Sequence, residues 1–402
     1  MNLTSDLPFW TVRNGLLRVY APLTSDIHSE ALVIGGGISG ALLAHQLVRQ
    51  GVDCVLLDRR DIGHGSTSAS TALLQYEIDT PLHRLRKTAG RDAADRAYNL
   101  GVEAIPNLQK LAGKDCGFAY RPSLQIATRA ADIGGLEREY QARRELRLRV
   151  TLMDQGALRA IGIEGKAGLR SAVAGEVDPY RLTHRLLHLA CKDGLRVFDR
   201  TAAVSYKHSA RNVTVKTDRG PQVRCNSIFF ATGYEAREIL PKNIVSFRST
   251  YALISEPLAD LSWWKDRCLI WGTGDAYPYM RTTSDKRILV GGEDDDVLDP
   301  GPRDRQLPRK MKTLVRRFHA HFPDVAIEPA FGWAGVFGST KDGLAYIGAH
   351  PSFARAYFAL GFGGNGITFS AIASQILTDM FLGKKNADEK VFSFGRPNSG
   401  GN

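Results

Sequence analysis

Residues 31–60, ALVIGGGISGALLAHQLVRQGVDCVLLDRR, carry the pattern that decides the fold of this chain. The first four residues form a short apolar run rich in β-branched side chains, which predicts a buried strand. Apolar side chains then recur at helical spacing over residues 39–50, and a second apolar strand follows over 52–57. Asp58 closes that strand. The order strand, helix, strand predicts the first unit of a parallel α/β sheet.

Three glycines stand between the first strand and the helix. Gly35, Gly37 and Gly40 form the motif G-x-G-x-x-G, and Asp58 follows 18 residues after the last of them. Gly35 permits a tight turn, Gly37 lets a pyrophosphate approach the backbone, and Gly40 lets the helix pack closely. Asp58 can accept hydrogen bonds from both ribose hydroxyls and would repel a 2′-phosphate, so the pattern predicts a dinucleotide site unsuited to NADP. The alternative is a glycine-rich turn in another kind of α/β domain.

Composition and charge indicate which general class of protein the chain belongs to. The chain has 402 residues, of which 43% are hydrophobic and 24% charged, which is typical of a globular protein. No window of 18 apolar residues and no signal-peptide pattern is present, which predicts a protein without a membrane span. The five cysteines are scattered and none forms C-x-x-C, which indicates reduced thiols in a cytoplasmic protein, with no metal cage. The net charge of +11 fits a nucleic-acid partner or an acidic substrate or, as we favour, a solvated basic surface.

Two further loops are typical of ligand contact. Residues 63–71 are glycine- and hydroxyl-rich, which favours close approach to a ligand over a flexible linker. The GFGGNG loop at 361–366 opens a largely apolar helix over 367–382, which predicts a second site for an anionic group. Two such sites far apart in sequence indicate one extended cofactor held at both ends.

Four stretches together resemble the D-amino-acid oxidase and glycine/sarcosine oxidase superfamily of FAD-dependent oxidoreductases, over roughly residues 28–382. They are GGGISG with Asp58, GSTSAS at 65–70, Ala231-Thr232-Gly233, and GSTKDGLAYIG followed by GFGGNGITFS. The resemblance implies an α/β fold with a Rossmann-like FAD-binding domain of the GR2 type and an inserted substrate domain built on a mixed or antiparallel sheet.

The resemblance also implies domain boundaries. They are an N-terminal arm (1–27), a discontinuous FAD-binding domain (28–110, 176–245 and 330–385), a substrate domain (111–175 and 246–329) and a C-terminal tail (386–402).

A set of FAD contacts follows from the same resemblance, and a helix N-terminus near the flavin would stabilise negative charge on its reduced form. The implied contacts are Gly35, Gly37, Ile38, Ser39, Gly40 and Asp58 for adenosine diphosphate and ribose; Arg59, Arg60 and Ala203 for adenine; Gly65, Ser66, Thr67, Ser68, Thr232 and Gly233 for pyrophosphate and ribityl chain; and Gly363, Gly364, Asn365, Gly366, Ile367 and Thr368 for the flavin.

The chain departs from relatives resembling monomeric sarcosine oxidase at charged positions. Gln75 and Thr368 stand where those relatives bind the substrate carboxylate with an arginine and a lysine. The cysteine that tethers FAD there would fall near Gly335, so we expect non-covalent FAD, with His64 as the alternative tether. The lysine that assists O₂ would fall on residues 289–290, which are leucine and valine.

Other residues are candidates for orienting the substrate. Arg281, near Tyr277 and Tyr279, would suit a substrate carboxylate. Its alternative is a salt bridge with the acidic run 293–296. No catalytic acid or base is identified, and the candidate catalytic residues are Arg281, Tyr279, Gln75 and Thr368. Three aromatic residues could wall a pocket or belong to the core: Tyr251, Trp271 and Trp333.

These observations predict a cytoplasmic FAD-dependent enzyme that oxidises the C–N bond of an amino acid or secondary amine to an imine, which water hydrolyses. Its partners would be a small amine and either O₂ or an electron-transfer protein. One alternative is a tRNA-modifying oxidase acting on an aminomethyl-uridine, favoured by the net charge but disfavoured because no clear basic stripe with aromatic residues is present. The other is a non-enzymatic flavoprotein subunit.

Overall fold

Two β-sheets organise the protein, as described by a computed structural model over residues 3–5, 8–240, 244–274 and 277–397. In chain order the strands are β1 (Ile27–Ile34), β2 (Cys54–Leu57), β3 (Leu73–Gln75), β4 (Ala119–Ala127), β5 (Val150–Asp154), β6 (Ala167–Glu176), β7 (Arg196–Phe198), β8 (Ala203–His208), β9 (Val213–Thr217), β10 (Gln222–Phe230), β11 (Ser246–Ser255), β12 (Leu269–Gly272), β13 (Tyr279–Thr282), β14 (Ile288–Asp295), β15 (Pro329–Ser339), β16 (Tyr346–Ala349) and β17 (Ala356–Leu360).

The helices cover both sheets. They are α1 (Phe9–Asn14), α2 (Ile38–Arg49), α3 (Ser66–Ala69), α4 (Leu82–Thr88), α5 (Arg91–Ala112), α6 (Ile133–Glu145), α7 (Gln155–Arg159), α8 (Pro179–Lys192), α9 (Pro300–Arg305), α10 (Leu307–His319), α11 (Gly366–Phe381) and α12 (Glu389–Phe392), with short 3₁₀ turns at Ala130–Asp132, Gly233–Glu238 and Lys265–Arg267.

The first sheet is built around parallel strands in the order β17-β10-β1-β2-β7. Strand β16 pairs antiparallel with β17, and the β8–β9 hairpin pairs with the first half of β10. Ile34 lies level with both Leu57 and Phe230, so the carboxyl ends of three adjacent strands end at one edge. The loops that follow them therefore meet there, which is where open α/β sheets bind ligands.

The strands of this sheet are continuous apolar runs because both faces are covered. Helices α2, α5, α8 and α11 bury one face, and the largest hydrophobic core of the described residues lies beneath them. A separate core on the other face includes the β8–β9 hairpin. The predicted Rossmann-like unit is confirmed.

The second sheet runs β15-β11-β14-β13-β12-β4-β6-β3, with β5 beside β6. Its pairings are antiparallel except for β12 with β4, so the predicted mixed sheet is confirmed. Strands β3 and β15 pair in this sheet, although they lie within segments that we assigned to the cofactor domain, 28–110 and 330–385. The chain passes between the two sheets at four places, from β2 to β3, from β6 to β7, from β10 to β11 and from β15 to β16.

Local sequence signals explain the ends of three helices. Residues 82–112 form two helices, α4 and α5, because the chain breaks between them at Gly90, which has φ +87°. Helix α8 begins at Pro179, and the carboxylate of Asp178 accepts a hydrogen bond from the backbone N–H of Arg181 at 2.9 Å.

The N-terminal arm packs on the rest of the molecule through α1. The indole Nε1 of Trp10 donates a 2.7 Å hydrogen bond to the carbonyl of Ser70, and the ring is buried. Parts of the predicted arm and tail, residues 1, 2, 6, 7 and 398–402, lie outside the described residues. Among the helices that the structure describes, none combines the length and apolar character of a membrane span.

Candidate active site

A cavity of about 840 Å³ lies along the carboxyl edge of the first sheet and continues against the second sheet. Most of the predicted site residues line it. They are Gly35, Gly37, Ile38, Ser39, Asp58, Arg59, Arg60, Gly65, Ser66, Thr67, Gln75, Ala203, Thr232, Gly233, Tyr279, Gly363, Gly364, Asn365, Gly366 and Ile367. The predicted residues that are not part of its lining are Gly40, Ser68, Arg281 and Thr368.

The glycine turn after β1 is sterically closed to other residues. Gly35 has φ +109°, and a Cβ there would lie 2.5 Å from the carbonyl oxygen of Ala231. A Cβ on Gly40 would lie 1.8 Å from the carbonyl oxygen of Gly35. Gly40 thus lets α2 approach the turn without lining the cavity, and the N-terminus of α2 presents its N–H groups to the cavity end.

Asp58 stands at the end of β2 with both carboxylate oxygens engaged by backbone. Oδ2 accepts from the N–H of Gly36 at 2.6 Å, and Oδ1 accepts from the N–H of Arg60 at 2.7 Å. Burial raises the pKa of this carboxyl to about 6, although the two backbone donors oppose the shift. Each oxygen retains a second lone pair, so the group can still accept from a diol.

The side chains of Arg59 and Arg60 extend across one end of the cavity to the loop after β10. The Nη2 of Arg60 lies 2.6 Å from the Oε1 of Glu235, and Arg59 pairs with the same carboxylate. Glu235 belongs to the 3₁₀ turn that begins at Gly233. The ion pairs therefore link the ends of β2 and β10 across one end of the cavity. The sequence did not reveal Glu235, because it lies 175 residues from Arg60.

The hydroxyl-rich loop docks on the start of α2. The Oγ1 of Thr67 accepts a hydrogen bond from the backbone N–H of Ile38 at 2.9 Å. The hydroxyl of Ser68 instead donates to the carbonyl of Gly65 at 2.9 Å, which stabilises the turn of α3 and keeps that side chain out of the cavity. The loop is thus a fixed wall and not a flexible linker.

Two buried hydroxyls in the cavity wall have no hydrogen-bond partner within the described part of the chain. They are the Oγ of Ser66 and the Oγ1 of Thr232. Buried hydroxyls are nearly always paired, so their presence beside the glycine turn fits a bound group with oxygen acceptors. The pyrophosphate and ribityl chain of FAD offer such acceptors, and the residues present therefore fit this cofactor.

Helix α11 begins at the other end of the cavity and is locked to β3. The Nδ2 of Asn365 donates to the carbonyl of Glu77 at 2.8 Å, and the Oγ1 of Thr368 donates to the carbonyl of Gln75 at 3.1 Å. We predicted that Thr368 contacts the cofactor and the substrate. Its side chain lies instead on the face of α11 that packs against β3, outside the lining of the cavity. Gly366, at the N-terminus of α11, remains in the cavity wall.

Polar and aromatic side chains line the part of the cavity formed by the second sheet. The Nε2 of Gln75 and the Nε1 of Trp271 both donate to the hydroxyl of Ser123, at 2.9 and 3.0 Å. The hydroxyl of Tyr279 lies 3.1 Å from the Oγ1 of Thr250. These bonds fix the orientation of three side chains that face the cavity: Gln75, Trp271 and Tyr279.

Arg281 does not take the position that the sequence suggested. Its Nη1 lies 3.2 Å from the Oε2 of Glu176, its Nε donates to the carbonyl of Thr71 at 2.7 Å, and its Nη2 donates to the carbonyl of Val177 at 3.2 Å. The side chain is 2% exposed. A buried guanidinium needs an anion and acceptors around it, and here the protein supplies them, so neither a substrate carboxylate nor the run 293–296 is its partner.

Five charged residues that line the cavity were not among the predicted site residues: Glu77, Asp79, Glu235, Arg248 and Asp294. The Oδ1 of Asp79 accepts from the hydroxyl of Tyr277 at 3.1 Å, and its Oδ2 accepts from the N–H of Gly364 at 2.8 Å. Asp79 is open to the cavity, and desolvation by the protein around it raises its pKa. Burial, with a contribution from Asp79, raises the pKa of Asp294 to about 6. Only the position of Asp79, four residues after Gln75, hinted at a role.

Among the described residues, no cysteine or histidine lines the cavity, so the expected tethering side chains are absent from its wall. None of the five cysteines lines the cavity. The Nε2 of His64 lies 3.4 Å from the hydroxyl of Tyr180, and this histidine also lies outside the lining. Of the three aromatic candidates, Trp271 and Trp333 line the cavity, whereas Tyr251 is fully buried.

Comparison with known proteins agrees with this geometry. The family model of FAD-dependent oxidoreductases called DAO matches residues 30–380. Glycine oxidase from Geobacillus kaustophilus is 22% identical over 91% of this chain and 97% of its own length. Gamma-glutamylputrescine oxidoreductase from Escherichia coli K12 is 25% identical over 90% of this chain and 87% of its own. The crystal structure of the Geobacillus glycine oxidase superposes with a TM-score of 0.74 at 19% identity, over 92% of this chain and 97% of that chain.

A fold with a dinucleotide cradle at one end of a large cavity defines this protein as a flavin-dependent oxidoreductase. The family match spans most of the chain, so the protein belongs to the DAO family of FAD-dependent oxidoreductases. FAD is its cofactor, and the predicted non-covalent attachment agrees with the positions of the cysteines and of His64.

Proposed function

We propose that this enzyme oxidises a C–N single bond of a small amine or amino acid to a C=N bond, which water then hydrolyses to a carbonyl compound and a free amine. The observation that carries the proposal is one continuous cavity, in which a dinucleotide cradle ends in a pocket of polar and aromatic side chains. Two of the similar proteins are named for an amino acid or an amine: glycine oxidase and gamma-glutamylputrescine oxidoreductase.

FAD, when bound, supplies the acceptor for the two electrons of this oxidation. The N-terminus of α11 would favour negative charge at the flavin end of the cavity, because its unpaired N–H groups carry partial positive charge. Asn365 and Thr368 hold that terminus against β3. Their role is to position the helix, and removal of either should alter the flavin before it alters substrate binding.

The pocket side chains would orient the amine. Because the Nε2 of Gln75 donates to Ser123, its Oε1 is left as an acceptor for a substrate N–H. Trp271 and Tyr279 restrict the substrate to one approach, so that the carbon to be oxidised meets the flavin. A neutral amine held in this way needs no strong base from the protein.

The electron acceptor and the compartment are further parts of the proposal. We propose that the electrons pass to O₂ or to an electron-transfer protein. All five cysteines are free, which supports a reducing compartment such as the cytoplasm. The substrate is a small molecule and not a nucleic acid, because the polar groups proposed to orient it lie within the cavity.

The test is anaerobic mixing of the purified holoenzyme with D- and L-amino acids, N-methyl amino acids and polyamines, while the visible absorbance of the flavin is followed. We expect one class to bleach the flavin, and the rate of recovery in air separates an oxidase from a dehydrogenase. If no amine bleaches a flavin that dithionite still reduces, the proposal is wrong, and a tRNA substrate or a non-enzymatic role takes its place. Gly135→Ala, on the remote helix α6, is a control variant that should react with the panel as the wild-type enzyme does, because a Cβ there would meet nothing within 4 Å.

A further inference from the structure

Two carboxylates face the substrate part of the cavity. Asp79 is fixed between the hydroxyl of Tyr277 and the N–H of Gly364. Asp294 comes from β14 on the second sheet, and its Oδ1 is buried without a hydrogen-bond partner within the described residues. The two groups line the same cavity and are close enough to repel each other electrostatically. Two carboxylates that face one space attract a cation placed between them, because opposite charge relieves their mutual repulsion.

The protein does not supply an ion pair to Asp294 among the described residues, although it does so for the other members of the acidic run 293–296. The pairs are Glu293 with Arg317 at 3.1 Å, Asp295 with Lys310 at 2.9 Å, and Asp296 with Arg248 at 3.3 Å. Arg248 also lines this part of the cavity; its Nε pairs with Asp296, and its charge lowers the pKa of Asp294, against the larger effect of burial. One arginine, shared with Asp296, faces two carboxylates, so the described residues around Asp79 and Asp294 leave the pocket net anionic.

Aromatic rings stand beside the two carboxylates. The ring centroids of Trp271 and Tyr277 are 5.7 Å apart, and those of Tyr277 and Tyr279 are 6.4 Å apart. All three residues line the cavity. Aromatic faces attract ammonium groups, so rings and carboxylates in one pocket favour the same kind of ligand. A substrate carboxylate would face the two aspartates there.

We propose that the substrate is a diamine or polyamine, whose second nitrogen is held as an ammonium ion by Asp79 and Asp294 among these aromatic rings. This inference rests on the proposed amine oxidation and specifies its substrate class. One nitrogen, neutral, lies at the flavin and belongs to the bond that is oxidised. The distal ammonium is not changed by the reaction and fixes how deeply the molecule enters.

Three compounds of matched length isolate the distal group. N-methylputrescine ends in an ammonium, N-methylpentylamine ends in a methyl group, and 5-(methylamino)pentanoate ends in a carboxylate. We would measure the concentration of each that gives half the maximal rate of anaerobic flavin reduction by the holoenzyme. The ammonium compound should half-saturate at a concentration at least tenfold lower than the methyl compound, and the carboxylate compound should bind most weakly.

Variants connect this preference to the two residues. Asp294→Asn should raise the half-saturating concentration of N-methylputrescine about tenfold while changing that of N-methylpentylamine less than twofold. Asp79→Asn should act in the same direction, with flavin content checked because Asp79 also contacts Gly364. Asp299→Asn is the control, since this exposed carboxylate at the start of α9 lies outside the cavity.

Other outcomes overturn the inference in distinguishable ways. Equal half-saturation by the ammonium and methyl compounds leaves the amine oxidation intact and removes the subsite. If the carboxylate compound half-saturates at the lowest concentration, and Arg248→Ala removes this preference, the pocket binds an anionic substrate instead. If neither these three compounds nor any member of the amine panel reduces the flavin, the proposed function fails. Titration of the holoenzyme flavin spectrum with N-methylputrescine then decides the subsite: a spectral change lost in Asp294→Asn supports it, and its absence overturns it.

Discussion

The hydroxyl oxygen of Thr67 accepts a hydrogen bond from the backbone N–H of Ile38 at 2.9 Å. This bond joins the loop after β2 to the first turn of α2, so the two walls of the dinucleotide cradle are one unit. Thr67 is also the side chain nearest to Gly37, since a Cβ on that glycine would lie 3.0 Å from its Oγ1. The shape of the cradle thus depends on a contact between two segments 29 residues apart in the chain.

Thr67→Val should weaken FAD binding with little change in side-chain volume. The buried N–H of Ile38 would lose its acceptor, which costs about 1–3 kcal/mol, and the loop would separate from α2. We expect the dissociation constant of FAD, measured by quenching of flavin fluorescence, to rise about tenfold. Thr67→Ser keeps the hydroxyl and is the control. Equal weakening by both variants would mean that the methyl group and not the hydrogen bond matters.

Gly40→Ala should prevent the cradle from forming. The added methyl carbon would lie 1.8 Å from the carbonyl oxygen of Gly35, and both partners are backbone or helix atoms that cannot move independently. We expect protein purified without flavin, or a loss of folding seen by circular dichroism. Gly135→Ala in α6 adds the same methyl group where nothing lies within 4 Å, and it should be neutral or slightly stabilising. A yellow Gly40→Ala protein of normal stability would contradict the close packing of α2.

The sequence predicted the cradle well because its determinants are local. Gly35, Gly40 and Asp58 lie within one strand–helix–strand unit, and each acts on backbone a few residues away. The substrate end could not be predicted in the same way, since Asp79, in the loop after β3, and Asp294, on β14, reach one cavity from segments far apart in the chain. Their proximity depends on long-range strand pairing, which spacing along the chain does not encode.

The placement of Arg281 shows the same limit in a different form. The sequence indicated an arginine near two tyrosines, but its anion, Glu176, comes from β6, 105 residues earlier. A local pattern can indicate that an arginine sits on a strand, yet it cannot distinguish a substrate carboxylate from a buried glutamate. Only the order of strands in the second sheet decides between them.

Arg281→Met should therefore affect stability and not substrate affinity. Loss of the guanidinium leaves the buried Glu176 with Arg121 as its remaining partner, at 2.9 Å. Breaking a buried ion pair costs about 3 kcal/mol, which should appear as a lower midpoint in urea denaturation. The double variant Arg281→Met/Glu176→Gln should recover part of this loss. A normal midpoint with a higher KM for carboxylate substrates would restore the role that the sequence suggested.

FAD affinity should depend on pH through Asp58. Burial raises the pKa of this carboxyl to about 6 in the protein without flavin, and the ionised form is the one that accepts from both ribose hydroxyls. Bound ribose stabilises the ionised form, so affinity is full above pH 7 and falls as the pH drops below about 6. Well below that value the loss approaches about tenfold per pH unit, because one proton must then be released for each FAD bound. Release of fluorescent FAD from the holoenzyme between pH 7 and 5 measures this dependence. Asp58→Asn should bind FAD more weakly at every pH and with a flat profile, and a wild-type profile that is equally flat would show that the carboxylate does not hold the ribose.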